Sequence, residues 1–190
     1  MTFTPSIIAA LIVAASFAAG LNVYATVATL GLLAHFHWVT LPPGLHAVSD
    51  PWIIAVSSLL FAVEVFADKI PAFDLVWNAA HTFIRGPVAA LLAYQAASKL
   101  LAAVAGAAIA AIAHTSKTAA RALVTPSPEP LSNITLSASE DVAAISLTWL
   151  ATHHPYTAAG IATVAIVFLL LSLRWIATRL RHLFRRQPAV

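Results

Sequence analysis

Between Glu64 and Arg85 the chain reads EVFADKIPAFDLVWNAAHTFIR, gathering Glu64, Asp68, Lys69, Asp74, His81 and Arg85 within a sequence that is otherwise almost entirely apolar. Ionisable side chains at membrane depth are costly, so their presence is a default pointer to function. Glu64 and Asp68, one helical turn apart, have the spacing to hold a cation or relay protons, with His81 as a partner that changes charge at physiological pH. Carboxylate and imidazole donors suit hard or borderline metals, yet the spacing matches no established metal motif, and the sequence names neither a metal nor a cofactor. The bland counterpart is a structural cluster in which Lys69 and Arg85 neutralise Glu64, Asp68 and Asp74, because ion-pair networks produce the same groupings.

Asp74, Asn78, His81 and Arg85 follow one another at steps of four, three and four, which puts them on one helical face. Phe73, Val76, Trp77, Ala80 and Ile84 take the other. A helix over 72–86 is too short to cross a bilayer, so it is expected to lie in the interface or to re-enter the membrane, with Pro87 opening a new apolar stretch. A second polar tract runs from His114 to Asp141 and supplies Lys117, Arg121, Glu129, Glu140 and Asp141, with prolines at 126, 128 and 130 that oppose a regular helix there.

The elements that must position these groups are membrane spans. Hydrophobic residues make up 61% of 190 and charged ones only 9%, with a mean hydropathy of +0.88, far from the balance of a soluble domain. There is no cysteine, which excludes disulfides, thiolate metal sites and thiol nucleophiles. The pattern predicts an all-α polytopic membrane protein of about six hydrophobic segments with short or re-entrant, Pro-interrupted helices. A single transmembrane domain covers 1–178, and a basic cytoplasmic tail covers 179–190.

Pro5 to Ala34 reads as a retained first span with length to spare, followed by interfacial His35 to Trp38 and a turn-rich LPPGLHAVSDP. Trp52 to Ala67 is a second, short apolar run. Pro87 to Ala113 carries Gln95, Ser98 and Lys99 near its middle, so two segments joined there are expected, letting Lys99 reach water. Apolar character returns around 142–151, His153, His154 and Pro155 form a connector, and Tyr156 to Ile176 is the clearest span.

If segments alternate and the C terminus is cytoplasmic, Lys69, Arg85, Lys117, Arg121 and five tail arginines fall on the cytoplasmic side and only Lys99 outside. Both termini are then expected to be cytoplasmic. Basic residues concentrated after a span read as a membrane anchor, so the lipid bilayer is the expected partner and nucleic acid is not. The Ala-rich surface of AAVAGAAIAAIA leaves a homo-oligomer open.

GLNVY at 20–24, LPPGL at 41–45, ADKIPAFDLVWNAAHTFIRGP at 67–87, and SPEPLSN followed by SED resemble a bacterial integral-membrane family named domain of unknown function 4126. The resemblance covers nearly the whole chain up to about residue 173. It implies a fold and an inner-membrane location but no activity. The chain departs from the pattern at Asn78, where an acidic residue is expected, and in its shorter linker around 95–99.

Three classes of function are consistent with this reading. The first is a small transporter or channel for an ion or polar solute, with Glu64, Asp68, Asp74, Asn78, His81, Arg85, Lys117, Arg121, Glu129, Glu140 and Asp141 around a polar cavity. Pro-interrupted hydrophobic regions in each half point to such a site between broken helices. The second is a non-catalytic membrane subunit, scaffold or lipid-binding protein that uses the same groups as a structural network. The third, an enzyme acting on lipid substrates, ranks lowest: Ser116, Ser132 and Ser139 lie in no nucleophile motif, and no phosphate-cradling glycine loop is present.

Overall fold

The computed structural model describes residues 2–67, 71–124 and 130–185. Within these, the side chains of 71–76, 78, 120–124, 130–133, 176–177 and 179–185 are outside the description. The chain is all-helical: α1 (Pro5–Leu21), α2 (Val23–His35), a 3-10 turn η1 (Pro43–Ser49), α3 (Pro51–Ala67), α4 (Pro71–Ala97), α5 (Leu100–Val124), α6 (Pro130–His153) and α7 (Pro155–Arg185). Leu100–Ala119 and Pro155–Trp175 are long and apolar enough to cross a membrane, and η1 with α3, bent by 64°, forms a third such stretch. The chain is thus built as a membrane protein.

The expected first span divides into two helices that double back. Asn22 adopts an extended backbone (φ −148°, ψ 106°), ends α1, and caps α2 by accepting a hydrogen bond from the Ala25 N–H through Oδ1 at 2.9 Å. Asparagine is a strong N-cap, and here it outweighs the apolar continuity on either side. Leu11, Ile12 and Ser16 from α1 meet Leu30 from α2 around one small void, so the two arms lie side by side and form a V whose apex is Asn22. Each arm is short of the roughly 30 Å needed to span the hydrocarbon: α1 measures about 25 Å and α2 about 20 Å at 1.5 Å per residue.

With the end where α1 begins taken as the upper end, the remaining helices alternate. His35 Nδ1 lies 3.2 Å from the Ser49 carbonyl, joining the end of α2 to the start of α3, and Ser6 Oγ lies 3.0 Å from Tyr156 Oη, joining the starts of α1 and α7. Exposed Trp38, Trp52, Trp149 and Tyr156 ring the upper end, and Trp175 marks the lower one. Tyr156 and Trp175 are about 28 Å apart along α7, a bilayer's hydrocarbon thickness bounded by aromatic anchors. Because α1 and α7 both start at the upper end, the N terminus and the end of α7 lie at opposite ends of the bundle. The break at Asn22 thus adds one helix to the layout expected from sequence. Among the described residues four α-helices precede Ser98 and three follow, against the six or so segments expected from sequence.

Two further expectations change. α4 runs unbroken through Pro87, so 72–86 is not a separate interfacial helix. Packing against α5 on both sides of the proline holds the segment in line where propensity alone would break it. α6 begins at Pro130, at the helix position that proline tolerates, so Ser132 to Asp141 is helical. The joint expected near Gln95–Lys99 is present as a reversal between α4 and α5, with Ser98 in the left-handed region (φ 51°).

α1, α4 and α5 meet through small residues. A Cβ placed on Gly20 would lie 2.5 Å from the Ala110 carbonyl oxygen, and one on Gly106 would lie 2.7 Å from the Ala93 Cβ. The apolar core of Leu11, Ile12, Phe17, Leu30, Leu45, Leu92 and Ala96 fills the upper part of the bundle. Close helix approach within a membrane depends on this kind of surface. Gly20→Val is expected to cost about 1–3 kcal/mol by overpacking. Gly160→Ala, where nothing lies within 4 Å of the added carbon, is expected to gain about 0.5–1 kcal/mol. Unfolding in mixed detergent micelles measures both, and equal midpoints for the two variants would contradict the tight α1–α5 crossing.

Candidate functional site

Below the apolar core, at the apex of the V, five helices bring ionisable groups together. The break at Asn22 leaves the Gly20 and Leu21 carbonyls without intrahelical partners, as every helix end does. Two cations answer them: Arg85 donates from one terminal nitrogen to the Gly20 oxygen at 3.1 Å, and Lys117 donates from Nζ to the Leu21 oxygen at 3.3 Å. The negative end of the α1 dipole thus faces two positive charges. At the start of α2, the Asn22 amide donates to Asp141 Oδ1 at 2.8 Å, placing a carboxylate near the positive end of that helix.

Glu64, reaching in from α3, is fully buried and pairs with the other terminal nitrogen of Arg85 at 2.5 Å and with Lys117 Nζ at 3.7 Å. Lys117 also pairs with Glu140 at 3.0 Å, so it bridges α3 and α6 while touching α1. The bridging geometry matters because a buried charge is tolerable only when paired and hydrogen-bonded. Among the described residues, Arg85 Nε has no hydrogen-bond partner, whereas both of its terminal nitrogens do.

Two histidines lie in and beside the network, and their partners constrain where protons sit. Arg85 can only donate, so His114 Nδ1, 3.0 Å from it, accepts; the ring is neutral and its Nε2 proton faces Thr82 Oγ1 at 2.9 Å. His81 Nδ1 lies 2.6 Å from the Trp77 carbonyl, which can only accept, so that nitrogen carries the hydrogen. His81 Nε2 lies 2.9 Å from the Tyr24 hydroxyl, within hydrogen-bond distance, with the two rings edge to face. The result is two sets of buried polar contacts, His81 with Tyr24 and Trp77, and Arg85 with His114 and Thr82, drawn from α2, α4 and α5.

Of the residues singled out from sequence, Glu64, His81, Arg85, Lys117, Glu140 and Asp141 converge here, each at most 8% exposed. Asp68 and Glu129 lie outside the described residues, as do the side chains of Asp74, Asn78 and Arg121. The face carrying His81 and Arg85 turns inward, while Phe83 on the other side is 81% exposed, so this is a cluster-lining part of α4 rather than a solvated one. Sequence reasoning left Asn22, Tyr24, Thr82 and His114 out of the site. Asn22 had one usable signal, a cap-forming residue beside Gly20 in an apolar run too long for one span.

The network makes two expectations. Glu64→Gln leaves Arg85 and Lys117 without their shared carboxylate and is expected to cost about 3–5 kcal/mol, the usual penalty for breaking one side of a buried ion pair. Asn22→Asp keeps a capping oxygen but sets a second carboxylate against Asp141, so it is expected to lose more stability than Asn22→Ser, which keeps the cap without charge. Unfolding midpoints of the three variants against the parent test both; a harmless Asn22→Asp would mean that Asp141 is not held against residue 22.

No curated protein and no solved structure matches the chain. A family model described as Domain of unknown function (DUF4126) matches residues 9–175, from α1 through the membrane-spanning length of α7 and across the whole ion network. With that much of its length matched, the chain belongs to the DUF4126 family.

Proposed function

We propose that this chain is a small multi-pass protein of the bacterial inner membrane that passes an ion or small polar solute through the site formed by the 64–85 and 114–141 tracts. The observation that carries this reading is the helix break at Asn22: its freed carbonyls and cap meet buried Glu64, Arg85, Lys117 and Asp141 inside an apolar bundle. Discontinuous helices whose ends face charge are how membrane proteins build binding sites for polar cargo. The excess of basic residues at the lower end makes that end cytoplasmic by the positive-inside rule, and the N terminus then lies on the opposite side.

The apolar core above the network closes the upper route, so the site in this state belongs to the cytoplasmic end, and the V of α1 and α2 is the element that must shift to open the other. A closed network of pairs around Glu64 is also what the alternative reading needs, a non-catalytic membrane subunit, scaffold or lipid-binding protein in which the charges serve assembly.

The absence of native cysteine gives a direct test. Single cysteines at Ser116, Ser137 and Ser16 are probed in cells with a membrane-impermeant thiol reagent applied from each side, with Lys99→Cys as the external control. Transport predicts that the 116 and 137 positions label from the cytoplasmic side while Ser16→Cys, above the network, is protected. Protection at all three, with Lys99→Cys labelling from outside, would replace the transport reading with the structural one.

A further inference from the structure

We propose that the chain carries a specific site for an anionic phospholipid at the upper end, separate from the ion network and independent of whether that network transports anything. A groove of about 440 Å³ runs between α1 and α5, floored by Ile8, Ile12 and Val13 on one side and Ala102, Ala105 and Ile109 on the other. It is apolar except at its mouth, where the Lys99 side chain joins the lining at the α4–α5 reversal. The Lys99 side chain is exposed and, among the described residues, makes no hydrogen bond or ion pair.

Three features set the chemistry of the occupant. Lys99 is the one Lys or Arg at the upper end among the described residues, so the positive charge there is its alone, apart from the cations of the network below. The reversal starts α5 immediately after Lys99, and Lys99's carbonyl already accepts from the Ala102 and Ala103 N–H groups. The first N–H groups of α5, at Leu100 and Leu101, are therefore left pointing out of the helix beside the ammonium, as helix starts leave them. The α1 wall of the mouth begins at Pro5, flanked by the hydroxyls of Thr4 and Ser6, which bond to each other at 3.0 Å.

The depth matches as well. From Leu101 to Ile109 the groove follows α5 for about 12 Å, less than one leaflet of a roughly 30 Å hydrocarbon core, with its charged mouth at the level of the aromatic ring. An acyl chain in the groove places its phosphate at Lys99 and the α5 start. A zwitterionic lipid can supply the chain but brings its own cation to the same place, so the site prefers a net negative headgroup.

The test places a bimane fluorophore on Val104→Cys, an exposed position beside the groove that does not line it, in protein reconstituted with phosphatidylglycerol or phosphatidylcholine bearing brominated chains. Quenching as a function of lipid ratio reads relative occupancy at this spot and ignores lipid gathered by the basic tail at the other end. Phosphatidylglycerol is expected to be preferred by about fivefold, the worth of one interfacial lysine. Lys99→Gln is expected to bring the ratio to about one, Lys99→Arg to retain it, and Ala105→Phe, which fills the groove, to lower quenching by both lipids. A ratio near one in the parent, or a preference that survives Lys99→Gln, overturns the proposal.

Discussion

The Gly20 and Leu21 carbonyls, freed where α1 stops, cannot stay bare inside hydrocarbon, and much of the architecture follows from how they are satisfied. With no water to bond them, each would cost several kcal/mol. The chain answers with two long cationic side chains, from α4 and α5. Bringing Arg85 and Lys117 into the interior then creates a second debt, two desolvated charges, which Glu64 from α3 and Glu140 from α6 neutralise. One irregularity in the backbone thus calls in four helices, and none of them can be withdrawn without leaving a bare carbonyl or an unpaired charge.

That exchange works only because the helices approach closely enough. Gly20 against Ala110 and Gly106 against Ala93 leave no room for a larger side chain, which sets α1 within reach of α4 and α5. Ala89, Ala93, Ala110 and Ala113 add little hydrophobic drive of their own in lipid; their contribution is shape. The polar network and the small-residue seam are therefore two halves of one design. The seam fixes distances, and the network makes those distances favourable.

The sequence disclosed the charged half of this arrangement far better than the backbone half. Glu64, His81, Arg85 and Lys117 stood out because an ionisable group in an apolar tract has few innocent explanations. The α4–α5 reversal was legible for a similar reason, since Lys99 in mid-span would be expensive. Asn22 and Tyr24 were not, because a single amide or phenol within an apolar run is unremarkable until its partner is known, and Asp141 lies 119 residues away. Reading Pro5 to Ala34 as one pass then missed the break between α1 and α2. Pro87 misled in the opposite direction: its local cost is real, but packing along α5 exceeds it.

The V of α1 and α2 also has a consequence for the order in which the protein is made. The hairpin emerges before the helices that follow it, yet its apex is completed only by residues 65, 96 and 119 positions further on. Until α4, α5 and α6 have entered the bilayer, the nascent hairpin holds two bare carbonyls and an amide that hydrocarbon cannot accommodate. Those groups are therefore satisfied only by helices that lie far along the chain. A truncation that spares the first three helices but removes α6 would leave the Asn22 amide without Asp141.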